Sequence, residues 1–551
     1  MQWKGLLSVF ILLFLVNRVA LGAVSYDLTA DHPRSILVGP GPATVLRLTG
    51  IPSNATHLII QSHSQWKNFT LSETAENSIQ GSHVGLLTLL RVGQGSAVWN
   101  IRSASPDPAF AVVMVSVYSK QYPLPGACNM EFVLENDPNI HLTSMTQAFK
   151  VQYAEANIGI SKRESIPSCG IEISQKRLSY ELYEMWMYEG DLSSQHFNRS
   201  LQKMLRPLDI RKNGIKVSEV KYHDGQTLKM FAANPGQGVI YNVIVKYQLS
   251  QDHVTEAAYV PVVTYSCDDG CSKPVGEYIY FVVLGIVGCV LCFGGHRFFE
   301  FELFVFGALA FHIISLSCIG NLTSLSFTES LLVAWVPGIG GGIFWLLIWA
   351  CFGVAVISAL LPAFVCGYVF ASIVFNFTPF GSMPWWESDF NYSIAFCCVI
   401  LIVPVLLLAF LNFMSLLCCA IVGSYHAILL LDVLLGGSLH QVYLDTFRKS
   451  VIPGFVQVND SVPFQFTDLI LCICWGALTM FGVILQYNLM RNRPSFPQSP
   501  LLCMRKTPRS TNVLINEEPN ENTSLLRSTS ALLTDEQPPP RSSREHCSSG
   551  C

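Results

Sequence analysis

From Gly276 onward the chain carries a series of uncharged apolar runs, each long enough to cross a lipid bilayer, and no other feature restricts its architecture as severely. Hydrocarbon offers no partner to a bare peptide N–H or C=O, so a run of about 20 apolar residues that crosses it must be helical. Runs near 276–295, 301–320, 330–349, 352–375, 392–411, 415–435 and 469–487 predict seven crossings. The third and fourth are the hardest to separate, because Trp349 to Phe352 carries no charge and leaves almost no loop. A fused re-entrant pair there, giving six or five crossings, is the competing count. Composition agrees with a lipid-facing molecule: 13% of the 551 residues are charged, against about 25% in soluble proteins. The net charge of −4 and the lack of a basic stripe with interleaved aromatics exclude nucleic acid as an expected partner. The lipid bilayer is the partner this composition demands.

Orientation follows from the two ends. Lys4, the apolar run Leu6 to Val16 and the small residues of Ala20-Leu21-Gly22 read as a signal peptide cleaved before Ala23, with a retained signal anchor as the alternative. Cleavage leaves the mature N-terminus outside the cytosol, and seven crossings then deliver the C-terminus to the cytosol. Arg491, Arg493, Arg505 and Lys506 after the last run fit the positive-inside rule, as do His296 and Arg297 in the first turn, whereas Arg448 and Lys449 fall outside. Asn54, Asn68, Asn198, Asn321, Asn376, Asn391 and Asn459 open N-x-S/T triplets, and all seven map outside under this topology. Asn54, Asn68, Asn198 and Asn459 are the candidate glycosylation sites; Asn321, Asn376 and Asn391 sit close to the membrane, and Asn522 maps to the cytosol.

Residues 23–275 are β-rich. Short runs at Thr44 to Ile51, His57 to Gln65, Gly85 to Val92, Ala97 to Arg102 and Ala109 to Tyr118 alternate with turn residues, and Gly238 to Gln248 and Ala257 to Tyr265 repeat the style. This spacing predicts antiparallel sandwiches, divided into units 23–135 and 136–275 after a signal peptide at 1–22. Asp191 to Leu205 instead has a capped start and helical spacing. Of 18 cysteines, Cys128, Cys169, Cys267 and Cys271 lie in this ectodomain, an even number in an oxidising compartment with three possible pairings. Cys128–Cys169 and Cys267–Cys271 are the favoured pairs. The cysteines from Cys289 to Cys474 fall in or beside apolar runs and read as packing residues without zinc-site spacing.

The helical domain, 276–487, is followed by a tail, 488–551, rich in Pro, Ser, Asn and charge, which predicts disorder. Glu521, Leu525 and Leu526 have the acidic-dileucine spacing that clathrin adaptors read, a short pattern that also arises by chance.

Ionisable residues at membrane depth are few: Glu302 and His312 in the second run, His426 and Asp432 in the sixth. The plain reading lets Glu302 reach headgroup water or pair with Arg297, lets Asp432 snorkel to the outer surface, and lets both histidines bind backbone carbonyls. The functional reading brings His312, His426 and Asp432 together as a polar contact between spans two and six. In the third run, Gly338 and Gly342 have the small-xxx-small spacing of close helix packing, while Gly340, Gly341 and Gly342 together also permit a broken helix exposing carbonyls to a cation. Packing is the favoured reading.

Receptor hallmarks are missing: no acidic-Arg-Tyr triplet ends the third run, and no Asn-Pro-x-x-Tyr occurs in the seventh. Leu469 to Tyr487 has no histidine, as seven-span zinc hydrolases require. No catalytic constellation, cofactor motif or metal-ligand pattern is expected.

Several longer segments carry a resemblance. Pro235-Gly236-Gln237-Gly238-Val239-Ile240-Tyr241-Asn242-Val243-Ile244-Val245, and Cys128-Asn129-Met130-Glu131-Phe132 with Asp137-Pro138-Asn139-Ile140, resemble the ectodomain of the transmembrane 7 superfamily member 3 family. Phe293-Gly294-Gly295-His296-Arg297-Phe298-Phe299-Glu300-Phe301-Glu302-Leu303-Phe304 is similar to that family's first helical turn, with one residue inserted. Val462-Pro463-Phe464-Gln465-Phe466-Thr467-Asp468 resembles its entry to the last span, and the glycine-rich third run is similar to the related transmembrane protein 198 group. The resemblance covers residues from about 50 to 500. It implies a plasma-membrane or secretory-pathway glycoprotein linked to cell survival and to damping of endoplasmic-reticulum stress, and it brings no ligand or mechanism. The leading expectation beside it is a non-enzymatic polytopic glycoprotein whose ectodomain binds a protein partner. An orphan receptor signalling through the tail, and a transporter using the glycine-rich run, are the competing expectations.

Overall fold

The computed structural model describes residues 24–491, apart from 75–76, 146, 160–161, 163–168, 170–176, 189–190, 222–226, 251–252, 267–274, 324, 379 and 382. The expected signal peptide, the Cys267–Cys271 pair, the tail beyond Arg491 and its Glu521, Leu525 and Leu526 lie outside the described residues.

The first unit is a sandwich built from period-two alternation. In Thr44–Thr49, Leu46 and Leu48 face inward and Arg47 outward; Ser96–Ser103 buries Trp99 and Ile101 in the same way. One sheet runs in the order Ser25–Leu28, Thr44–Thr49, Ser96–Ser103, Phe69–Ser72, Ser78–Gly81, and the facing sheet in the order Arg34–Val38, Ala109–Ser119, Ala55–His63, His83–Leu89. Ser25–Leu28 pairs parallel with Thr44–Thr49, so the sandwich is not wholly antiparallel as expected. Trp99 joins the sheets by donating its indole N–H to Thr88 Oγ1 at 2.9 Å. Ala55–His63 is buried along its whole length. Leu58 and Ile60 face the first core, and Ile59 belongs to the core of the second unit.

That second unit centres on Leu178–Trp186, paired with Val239–Ser250 on one side and Ile215–Lys221 on the other. A smaller sheet comprises Ile140–Met145, Ala148–Tyr153 and Leu228–Ala232. Leu124–Cys128 pairs with Glu155–Asn157, and Cys128 is disulfide-bonded to Cys169 across a Cα separation of 5.6 Å. Helix α1, Ser194–Gln202, starts where Ser193 Oγ accepts the His196 N–H at 3.3 Å, and α2 spans Pro207–Asn213.

The helical domain comprises α3 (Val275–Gly294), α4 (Phe299–Leu322), α5 (Phe327–Val333), α6 (Trp335–Phe352), α7 (Ala355–Phe377), α8 (Asp389–Leu407), α9 (Leu411–Leu435), α10 (Leu439–Val451) and α11 (Phe466–Met490). Among the described residues, six helical stretches are long and apolar enough to cross a membrane. The first, Val275–Gly320, has 46 residues, and laid straight it would measure about 69 Å, over twice the hydrocarbon thickness of about 30 Å. It is not straight. A short 3₁₀ turn at Gly295–Phe298 interrupts it, and Tyr280 near one end lies 3.3 Å from His312 near the other, so α3 and α4 are the limbs of a hairpin. Gly353, at φ 60°, ends α6 in the left-handed region that glycine alone enters cheaply, and only Val354 separates it from α7.

Candidate functional site

The polar interior of the helical domain is organised by α10, which the sequence reading left as outer loop. Leu439, Val442, Tyr443 and Phe447 follow helical spacing, and this pattern is the signal that marks it. Every residue from Leu439 to Arg448 is buried, against α4, α7 and α9. Arg448 is therefore not an exposed outer charge: it is 1% accessible, donating to Asp445 Oδ1 at 2.6 Å and to Gln441 Oε1 at 3.4 Å.

Asp432 does not snorkel. Its Oδ2 accepts the His440 backbone N–H at 2.7 Å and lies 2.7 Å from His440 Nδ1, so the last turn of α9 fixes the first turn of α10. Asp468, opening α11, accepts from the Ser438 N–H at 3.1 Å and hydroxyl at 2.9 Å. His312 stacks on Trp335 at 4.4 Å, and its Nε2 lies 3.3 Å from the Tyr280 hydroxyl, which lies 3.2 Å from that of Tyr443. The His426 ring meets Tyr443 edge-on at 6.0 Å. His312 thus reaches Tyr443 through the Tyr280 hydroxyl, His426 touches the same Tyr443 only by its ring edge, and Asp432 is taken up by His440; Tyr280 and Tyr443 are residues that sequence reasoning did not single out.

Glu302 departs from expectation in the same way. It is fully buried, with Oε2 3.0 Å from His296 Nδ1 and Oε1 accepting from Ser415, and it neither reaches water nor pairs with Arg297. Gln486 completes this inner cluster, accepting the His296 N–H at 3.3 Å and donating to Cys292 O at 2.6 Å. Four helical segments thus converge at one end of the domain.

Helix α6 continues through Gly340, Gly341 and Gly342 without unwinding. A Cβ added at Gly338 would approach Ala308 O to 3.0 Å, at Gly341 the Phe311 ring to 2.1 Å, and at Gly342 Phe304 O to 2.7 Å, whereas at Gly340 it would meet nothing within 4 Å. Three of the four glycines therefore admit α4, and Gly340 faces away.

At the outer end the ectodomain is docked on this framework. Asn459, in the segment between α10 and α11, pairs its backbone with Leu228–Ala232: its N–H donates to Met230 O at 2.8 Å, and its carbonyl accepts from the Ala232 N–H at 3.0 Å. Ser461 donates to Glu184 Oε1 at 2.7 Å, and Gln465 donates to Met187 O at 3.2 Å. Burial pushes the Glu184 carboxyl up to about 7, with the Ser461 hydroxyl pulling the other way. Of the candidate glycosylation sites, Asn54 and Asn68 are exposed on the first unit, while Asn198 on α1 and Asn459 are half-buried. Asn376 donates its side-chain amide to Ser372 O at 2.8 Å, and Asn391 donates to Trp385 O at 3.2 Å.

Comparison with known proteins assigns this architecture. The chain is 32% identical over 483 residues to Transmembrane 7 superfamily member 3 of Homo sapiens, covering 85% of this chain and 84% of that one. It is 34% identical over 483 residues to the proteins of that name in Rattus norvegicus and Mus musculus, covering 85% of each chain. The chain belongs to the transmembrane 7 superfamily member 3 family. Three family models place the parts: a TM7SF3-like N-terminal immunoglobulin-like domain at residues 25–118, a TM7SF3-like second immunoglobulin-like domain at 123–269, and a TM7S3/TM198-like domain at 281–487. In this member of the transmembrane 7 superfamily member 3 family, two immunoglobulin-like units are followed by a multi-pass helical domain, joined at Asn459 and Ser461 with α10 directly behind.

Proposed function

We propose that this chain is a non-enzymatic glycoprotein of the plasma membrane and secretory pathway that attenuates endoplasmic-reticulum stress and supports cell survival, with its immunoglobulin-like units receiving a protein partner. The single observation that carries the reading is the docked junction. Asn459 extends an ectodomain sheet, and the same segment leads from the buried helix α10, so a partner that shifts the second unit bears directly on helix packing. The resemblance supplies the stress role. The α3–α4 hairpin supports two crossings within Val275–Gly320, and the other five apolar stretches bring the proposed number to seven. That odd number supports an extracellular N-terminus and a cytosolic tail, from which Glu521, Leu525 and Leu526 would reach a clathrin adaptor. Against the transporter alternative stands α6, which runs unbroken through its glycines.

The test is rescue of knockout cells challenged with a calcium-pump inhibitor. Wild type and a chain lacking 488–551 are expected to restore survival. Asn459→Pro, which removes the N–H that docks on Met230, is expected to fail, while Asn459→Gln, which removes only the sequon, should succeed. Absence of rescue by wild type sinks the stress reading; full rescue by Asn459→Pro sinks the coupling.

A further inference from the structure

Between the second immunoglobulin-like unit and the outer ends of α7, α8 and α10 lies a cavity of about 370 Å³, lined by Glu184, Lys229, Asn376, Tyr392, Lys449 and Asp460 among others. Glu184 is 2% exposed and Tyr392 7% exposed. Glu184 uses Oε1 to accept from Ser461, and its Oε2 has no hydrogen-bond partner. Asn376 spends its amide N–H groups on Ser372 O and Thr446 Oγ1, leaving its carbonyl oxygen bare. The Tyr392 phenol oxygen is likewise without a partner. Lys449 does not serve these groups: its Nζ lies 2.6 Å from Asp460 Oδ2 and 5.5 Å from the centre of the Tyr392 ring.

Acceptors dominate the unmet demand. A carboxylate oxygen and an amide oxygen stand bare beside a phenol that can accept as well as donate, and no buried nitrogen is bare among the described lining residues. Leaving a buried polar atom unpaired costs about 1–3 kcal/mol. The missing group is therefore a donor, and beside a carboxylate it is a cationic one. An ammonium has three N–H donors and no acceptor, which matches three bare oxygens. At about 30 Å³ per water, the cavity holds a molecule of roughly ten heavy atoms. A volume of this size suits an organic cation better than a single bare ion.

We propose that this cavity binds a small primary amine, whose ammonium donates to Glu184 Oε2, the Asn376 carbonyl and the Tyr392 phenol oxygen. Bound there, the amine bridges an ectodomain strand and two helices and tightens the junction.

The test is calorimetric titration of the full-length protein in lipid nanodiscs with spermidine at 150 mM salt, with myo-inositol as neutral control and citrate as anionic control. One saturable spermidine site per chain is expected, with no citrate or inositol site. Glu184→Gln should weaken it at least about tenfold. Tyr392→Phe should weaken it severalfold while leaving the melting temperature unchanged, since the hydroxyl it removes touches no protein group; should Glu184→Gln not fold, Tyr392→Phe decides. No saturable spermidine heat, inositol binding in its place, or an affinity untouched by Tyr392→Phe overturns the proposal and leaves the cavity to water.

Discussion

At the scale of single residues, the seam between the immunoglobulin-like units buries polar side chains outside the membrane part. His57, Gln61 and His63 share the Ala55–His63 strand, and alternation alone would send them to solvent. The second unit covers that face instead, a fact of tertiary packing that no local spacing carries. His57 stacks on Tyr118 at 5.3 Å, and His63 approaches His83 at 5.5 Å between ring centres. Burial pushes His57 and His83 down to about 3, and burial with the neighbouring His83 holds His63 well below its ordinary value. These rings are neutral when folded and take a proton near 6.5 when unfolded. Their stability contribution is present above pH 6.5 and lost as pH falls toward 3, by at most about 1.4 kcal/mol per pH unit for each ring. Thermal melts of the full chain from pH 7.5 to 5.0 should show the ectodomain transition falling, and His83→Phe should make that slope shallower. A flat profile would refute the buried seam. Asp432 and Glu302 teach a similar lesson: the sequence marks them as costly, but their partners His440 and His296 lie across turns whose shape only the fold defines.

At the scale of elements, the long apolar runs were legible because the bilayer permits one solution to them. Helix α10 was not, since thirteen residues with Arg448 and Lys449 at the end look like an amphipathic surface segment when read alone. Its burial comes from α4, α7 and α9 around it. Removing one partner of a buried pair leaves the other charge bare, so Arg448→Met should destabilise the protein by about 3–5 kcal/mol. The double change Arg448→Met with Asp445→Leu should recover much of that loss in the same thermal assay; no recovery would mean that the pair contributes little. The glycines of α6 make an internal comparison. Gly342→Leu drives a side chain into Phe304 and should cost about 1–3 kcal/mol or more, seen as loss of monodisperse protein in detergent, whereas Gly340→Leu faces open space and should be neutral. Equal behaviour of the two would contradict the α4–α6 contact. Small-residue spacing announced this contact in the sequence, but which three of the four glycines take part depends on the rotation of α6.

At the scale of the whole molecule, the division into sandwich units and helical domain was readable from the switch between period-two strands and long apolar runs. The docking of one on the other was not, because it rests on the backbone of Asn459, whose sequon says nothing of strand pairing, and on Glu184, which carries no marker of its own. The proposed topology predicts that an epitope placed after Cys551 is stained only once cells are permeabilised, and surface staining would reverse every loop.

The strand Leu228–Ala232 borders the smaller ectodomain sheet, and the segment that closes its free side is made only after α9 and α10. During synthesis that border stays open in the lumen while five or more hydrophobic stretches are still entering the bilayer. An unpaired strand border is an invitation to wrong partners, and the chain order leaves this one without its Asn459 partner until most of the membrane part has been made.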